Sequence, residues 1–125
     1  MPVDDISSPP VDLEAFRAEM RKAGIEEVVP VALDTYREEA TENGERLEAA
    51  IGCADPVEIA QASHAMRSGA GVIKARALAG LLQEMETAGH EGDLEATRAL
   101  IEPVRSQAAG VLAYLERLAV RNYEA

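Results

Sequence analysis

One histidine, His64, is the side chain in this sequence best placed to do chemistry. It lies in the run from Ala60 to Ile73, which reads Ala-Gln-Ala-Ser-His-Ala-Met-Arg-Ser-Gly-Ala-Gly-Val-Ile. On a helix, Arg67 and Ser68 would adjoin His64 one turn further on. A neutral imidazole can attack a phosphoryl group brought by a donor that supplies its own Mg²⁺ and carboxylates. Arg67 could then neutralise the charge of the phosphoryl group, and Ser68 could donate a hydrogen bond to it.

The residues around His64 on such a helix are small or polar. Ala60, Gln61 and Gly71 are among its helical neighbours. Because they add little bulk, another protein could come close to the imidazole, so we predict that they belong to a docking surface. The buried face of the helix is predicted from the apolar residues at helical spacing, namely Ile59, Ala62, Met66, Ala70 and Ile73.

Other routes to chemistry lack their motifs. The chain has neither a Gly-x-x-x-x-Gly-Lys-Ser/Thr nor a Gly-x-Gly-x-x-Gly loop, so we predict no ATP site and no autokinase activity. Its two histidines, His64 and His90, lack the Glu-x-x-His spacing of helical metal sites and do not suggest a hydrolytic triad. We therefore expect no metal and no cofactor on the chain, and we expect His90 to lie in a turn.

Composition narrows the class of protein and its partners. The net charge of −11 would repel nucleic acid and anionic membrane surfaces, so neither is an expected partner. Hydrophobic residues make up 47% of the chain but aromatic residues only 3%, which favours helices packed on helices. The single cysteine excludes an internal disulfide, and no secretory signal or membrane-spanning run is evident. We predict a soluble cytoplasmic protein.

Capping residues and apolar spacing predict five helices. Residues 1–10, rich in proline and serine, are predicted to be a flexible leader, and residues 122–125 a frayed tail. Pro103 predicts a bend or a local break near residues 99–103 of the last helix. The predicted helices run from Asp12 to Gly24, from about Glu27 to Ile51, from the Asp55-Pro56 cap to about Ile73, around Leu78 to Gly89, and from Asp93 onward.

These helices predict an all-α fold over residues 11–121. The last four would form an antiparallel up-and-down four-helix bundle, and the short N-terminal helix would cap one end of it. The last helix has the most regular pattern, with two interleaved sets at seven-residue spacing: Leu94, Ile101, Ala108 and Leu115, and Thr97, Val104, Val111 and Leu118.

The run from Ala62 to Ile73 resembles the central helix of histidine-containing phosphotransfer (HPt) domains of bacterial phosphorelays. The matching positions are His64, Met66, Gly69 and Ala70, and the resemblance extends over about residues 11 to 118. It includes the Leu-Glu-Ala-Ala-Ile end of the second helix, the Leu-Leu-Gln-Glu-Met-Glu-Thr-Ala-Gly-His-Glu-Gly-Asp segment and the heptad-like last helix. Three positions depart from the family pattern. Arg67 occupies a position where the family usually has lysine, and Ser68 and Lys74 occupy positions where glycine is common.

The resemblance implies a phosphorelay intermediate. His64 would accept a phosphoryl group from a phospho-aspartate of one receiver domain and pass it to another. The partners would be receiver domains of response regulators and of hybrid sensor kinases, Mg²⁺ would be held by the receiver alone, and the chain would be a monomer. The residues themselves also predict the charge around the histidine. We expect the surface near His64 to be less negative than the rest, because three cations lie nearby: Arg67, Lys74 and Arg76.

Two other functions are open at this stage. The first is a non-catalytic helical adaptor that docks receiver or kinase domains without being phosphorylated. The second is the dimerisation helices of a sensor kinase, which would call for a carboxylate directly after the histidine, where this chain has Ala65.

Overall fold

The computed structural model describes the backbone of residues 9–124 and the side chains of residues 9–121. A 3-10 turn at Glu26–Val28 precedes the second helix, and the described residues contain no strand. The predicted leader lies mostly outside this range, as do the side chains of the predicted tail. The five helices are α1 (Leu13–Lys22), α2 (Val29–Gly52), α3 (Pro56–Val72), α4 (Arg76–His90) and α5 (Leu94–Glu124).

Aspartate side chains fix where three of the helices begin. Asp12 accepts a hydrogen bond from the backbone N–H of Ala15 at 3.1 Å, and Asp55 accepts one from that of Glu58 at 3.2 Å. Asp93 accepts one from the N–H of Ala96 at 3.0 Å before α5. Each bond satisfies a first-turn donor that has no partner within its helix. The predicted starts of α1, α3 and α5 are therefore confirmed.

Helices α2 to α5 form the predicted antiparallel bundle, in which each helix packs against the next along the chain and α2 closes on α5. The apolar face predicted for α3 is buried throughout, and both heptad sets of α5 are buried or half-buried. Both observations confirm the sequence-based assignment of the core. The largest fully buried side chains are Phe16, Ile59, Ile73, Leu78, Leu82, Met85 and Leu115.

Pro103 does not divide the last helix. Of the predicted bend or local break near residues 99–103, the break is wrong, because α5 is helical without interruption from Leu94 to Glu124. Proline removes one backbone donor from the helix. Burial of Val104 and of the rest of the heptad face holds the two halves of α5 on one core.

The N-terminal helix is fastened to the turn between α3 and α4. The backbone N–H of Asp12 donates to the carbonyl of Lys74 at 3.0 Å, and the Asp12 carboxylate pairs with Arg76 at 2.7 Å. Lys74 Nζ lies 3.2 Å from Glu19 of α1. Hydrogen bonds from Arg76 and from the Ala15 N–H hold the pKa of Asp12 below its usual value. These contacts place α1 over one end of the bundle, as predicted.

Helices α3 and α4 make the most extensive helix contact among the described residues, and Gly89 of α4 lies directly against α3. A Cβ atom at Gly89 would lie 2.8 Å from the carbonyl oxygen of Pro56 and 2.9 Å from the backbone nitrogen of Ala60. Both are backbone atoms, so a side chain at Gly89 requires the two helices to separate.

We expect Gly89→Ala to lower the free energy of unfolding by about 1 to 3 kcal/mol, because the added methyl group overpacks this contact. Gly80→Ala, in the same helix, is the matched control: nothing lies within 4 Å of a Cβ there. That variant should gain about 0.5 to 1 kcal/mol of stability. Urea unfolding measures both, and equal effects would contradict a close contact at Gly89.

Tyr36 of α2 packs its ring on Gly69 of α3, where a Cβ would lie 3.4 Å from the ring. Burial raises the pKa of Tyr36 to about 12. Because the pKa of Tyr36 is higher in the folded protein than in the unfolded chain, its neutral side chain stabilises the fold fully at pH values below the unfolded pKa. This contribution is lost as the pH rises from the unfolded pKa to the folded pKa. We expect the free energy of unfolding to fall by about 2 to 3 kcal/mol between pH about 10 and about 12. In unfolding titrations Tyr36→Phe should remove this loss, and Tyr114→Phe should retain it.

Candidate functional site

His64 lies in the middle of α3, opposite the buried face of the helix. Its side chain is 58% exposed, so the ring is open to a partner. The burial of Ile59, Met66 and Ile73 on the other face fixes this orientation. The N-terminal cap at Asp55 and the contact with α4 hold the helix in place. The bundle therefore presents one imidazole on a rigid support.

A carboxylate from the neighbouring helix contacts the ring. Glu86 of α4 places Oε2 3.0 Å from His64 Nδ1, and its Oε1 accepts a hydrogen bond from Arg67 Nε at 2.8 Å. A second nitrogen of Arg67, Nη2, also lies 3.0 Å from His64 Nδ1. Glu86 thus joins the two residues of α3 that the sequence predicted for the site.

Nδ1 of His64 cannot bond to both of these neighbours at once. It donates to Glu86 when it carries a proton, and it accepts from Arg67 only when it does not. Glu86 is a carboxylate that can accept a charge-assisted hydrogen bond from Nδ1–H, and Arg67 is already engaged with it through Nε, so the arrangement favours the proton on Nδ1. The lone pair of the neutral ring is then on Nε2, the nitrogen that faces away from Glu86.

Glu86 is the most enclosed charged group of the site, with only 12% of its side chain exposed. Burial acts to raise its pKa, but hydrogen bonds from Arg67 and then from His64 outweigh that effect, so the pKa lies below its usual value. Glu86 is therefore ionised at neutral pH and remains an acceptor for the imidazole N–H.

Arg67 lies on the Nδ1 side of the ring in this arrangement. Its side chain is 30% exposed, and its guanidinium bridges Glu86 and the imidazole. The predicted contact with a phosphoryl group on the ring would require the guanidinium to leave Glu86 and move to the Nε2 side. Its direct role in this structure is to neutralise and orient Glu86.

Ser68 is exposed one turn beyond His64, and its hydroxyl has no hydrogen-bond partner among the described residues. It is therefore available to a group that approaches the ring. The small residue beside it has another role, because Gly69 lies against the ring of Tyr36. Gly69 thus allows α2 and α3 to pack closely.

Of the three predicted docking residues, two are on the surface. Gln61 is exposed and accepts a hydrogen bond from Arg46 of α2 at 3.3 Å, and Gly71 is exposed with open space around it. The prediction for Ala60 is wrong. Ala60 is only 2% exposed because Gly89 of α4 packs directly against it, so its methyl group belongs to the helix contact.

Of the three cations predicted to lie near His64, two are paired with carboxylates of the N-terminal segment. Lys74 pairs with Glu19 of α1 and Arg76 pairs with Asp12, which caps α1, so both hold the N-terminal helix at the end of the bundle. Arg67 is the predicted cation that does lie at the ring, and its charge is shared with Glu86. The site is therefore nearly balanced in charge, with one arginine and one glutamate beside the imidazole.

Two residues of α4 at the site were missed by the sequence analysis. The sequence predicts Glu86 only as part of a helix and places His90 in a turn. His90 is instead the last residue of α4, and its Nε2 lies 3.7 Å from Glu86 Oε2. The sequence does contain one signal for this arrangement. The buried face of α4 ends in Gly89, and a glycine there indicates that α4 approaches α3 closely, which would bring the nearby Glu86 to α3.

These side chains do not form a metal centre. Within residues 9–121 no group of three or more His, Cys, Asp or Glu side chains is arranged to hold a metal ion. Around Glu86 the physical reason is that Arg67 occupies one oxygen and would repel a cation. No helix in the described range is both long and apolar enough to cross a membrane.

The helical bundle that carries His64 also matches known proteins. The family model described as the Hpt domain matches residues 31–120. The chain belongs to the Hpt family. Histidine phosphotransfer within phosphorelays is therefore the role of this Hpt domain.

One solved structure supports the same conclusion. The chain is similar to histidine-containing phosphotransfer protein B (HptB) from Pseudomonas aeruginosa PAO1, with 27% sequence identity and a TM-score of 0.80. The match covers 91% of this chain and 97% of the HptB chain. A comparison with curated protein sequences finds no significant match.

Proposed function

We propose that this Hpt domain accepts a phosphoryl group on Nε2 of His64 from the phospho-aspartate of one receiver domain and transfers it to the aspartate of a second. The observation that carries the proposal is the geometry of the ring. Glu86 holds Nδ1 on the protein side at 3.0 Å, while the side chain remains 58% exposed, so Nε2 is the nitrogen open to a donor.

In the proposed transfer, the Nε2 lone pair attacks phosphorus and the bond between phosphorus and the aspartyl oxygen breaks. The aspartate leaves as a carboxylate, and the proton on Nδ1 stays where Glu86 accepts it. Glu86 thereby stabilises the positive charge that the ring gains. Mg²⁺ is held by the receiver domain in this proposal, and the Hpt domain contributes no cofactor. Transfer to the second receiver is the same step in reverse.

Arg67 and Ser68 are proposed to contact the phosphoryl group after it reaches the ring. Ser68 has a hydroxyl without a partner in the described structure, one helical turn from His64. Arg67 Nη2 already lies 3.0 Å from the ring, and rotation of its partly exposed side chain could bring it to the phosphoryl oxygens.

The proposed docking surface is the exposed face of α3 around His64. Gln61 and Gly71 are on this face, as predicted, and two exposed valines extend it toward the ends of the helix, Val57 and Val72. Apolar side chains that bracket a polar centre suit a protein partner, because they lose contact with water when a receiver covers them. The partner is a protein, not nucleic acid or membrane, and the Hpt domain acts as a cytoplasmic monomer in this proposal.

A two-receiver assay tests the proposal. A receiver domain carrying radiolabelled phospho-aspartate is mixed with the Hpt domain, the receiver is removed, and a second receiver is added. We expect label on the Hpt domain in the first step and on the second receiver in the next. The label should be acid-labile and base-stable. If no receiver of the same cell labels the domain, although receivers bind it and also bind His64→Ala, the proposal fails and the domain is an adaptor.

A further inference from the structure

His90 stands close to the proposed phosphorylation site without a role in the transfer described above. It lies one helical turn after Glu86, and its Nε2 is 3.7 Å from Glu86 Oε2. Its side chain is 67% exposed, so most of the ring is in contact with solvent. A shift of less than about 1 Å would turn this approach into a hydrogen bond.

The carboxylate of Glu86 can accept this additional donor. Each carboxylate oxygen has two lone pairs. Oε1 accepts from Arg67, and Oε2 accepts from His64. The second lone pair of Oε2 remains for a donor, and His90 is the other group near that oxygen in the described structure.

The need for that donor arises when Arg67 moves. Arg67 lies on the Nδ1 side of the ring, where it donates to Glu86, so in the proposed transfer it leaves Glu86 to reach a phosphoryl group on Nε2. When it leaves, Glu86 loses its strongest donor although only 12% of its side chain is exposed. A carboxylate with so little access to water is costly to leave without a donor, so a replacement donor would keep Glu86 ionised and in place against the imidazole.

We propose that His90 is a positioning residue of this site, whose Nε2–H replaces Arg67 as a donor to Glu86 and so keeps the proton of His64 on Nδ1. The inference rests on the proposed function of His64 as the phosphoryl acceptor. In this arrangement Arg67 and His90 are alternative partners of Glu86. Either one alone is sufficient to hold the carboxylate against the imidazole.

The test measures the tautomer of His64 directly, in the unphosphorylated domain, by ¹⁵N NMR of the imidazole nitrogens at one fixed pH. Four proteins are compared: wild type, His90→Ala, Arg67→Ala and the double variant. We expect the Nδ1–H form to predominate in the first three and to fall severalfold in the double variant. Thermal melts verify that all four are folded.

A fifth protein separates a positioning role from a merely structural one. In Arg67→Ala/His90→Gln the glutamine amide supplies a donor at the same place, so the Nδ1–H form should be restored. If the double alanine variant has the same tautomer ratio as Arg67→Ala, the inference about His90 is overturned. The NMR result does not depend on phosphotransfer, so failure of the two-receiver assay would count against the proposed function alone.

Discussion

His64→Gln is expected to abolish phosphoryl acceptance, so that the label on the Hpt domain falls to the background of the assay. Glutamine is similar in size to histidine and is tolerated at an exposed position, but its amide nitrogen has no lone pair available for attack on phosphorus. The measurement is transfer of label from a phosphorylated receiver at short times.

The matched control is His90→Gln, because His90 is the other histidine of the chain and is also exposed. It should retain label in this assay, since the acceptor ring and its Glu86 contact are intact. Circular dichroism should show the same helix content for both variants. Label that persists at the full level in His64→Gln would mean that another residue is the acceptor.

Glu86→Ala is expected to slow phosphoryl transfer to His64 by about 10- to 100-fold, the usual cost of removing a group that orients a functional histidine. Without the carboxylate, the proton is free to reside on Nε2, and in that form the nitrogen cannot attack. The variant also leaves Arg67 beside the ring without its partner at 2.8 Å. Single-turnover transfer from a phosphorylated receiver measures the rate.

Two further variants identify the cause of this loss. Glu86→Gln keeps an oxygen that accepts from Nδ1–H but lacks the charge, so its rate should lie between those of wild type and Glu86→Ala. Glu84→Ala, an exposed position on the same helix without an ion pair in the described structure, should transfer at the wild-type rate. A wild-type rate for Glu86→Ala would show that the contact with His64 has no part in transfer.

Much of the fold was predictable because its signals are local. The cap at Asp55 followed by Pro56 defines the start of α3, and the repeat of apolar residues in α5 defines its buried face. The break expected at Pro103 shows the limit of local reasoning. Burial along the whole of α5 outweighs the loss of one backbone hydrogen bond.

Only those residues of the candidate site that belong to α3 were predictable from the sequence. His64, Arg67 and Ser68 are within two helical turns in the sequence, so spacing alone brings them together. Glu86 is 22 residues from His64, and its contact depends on how closely α4 approaches α3. The same approach explains the error at Ala60, since no pattern within α3 shows that Gly89 lies against it.

The most direct test of this account is to identify the phosphorylated atom. The domain is labelled with ¹⁵N in its histidine rings, phosphorylated by a receiver, and studied by NMR for coupling between phosphorus and nitrogen. We expect the phosphoryl group on Nε2 of His64, with the proton retained on Nδ1 beside Glu86. A phosphoryl group on Nδ1, or on any residue other than His64, would contradict the account.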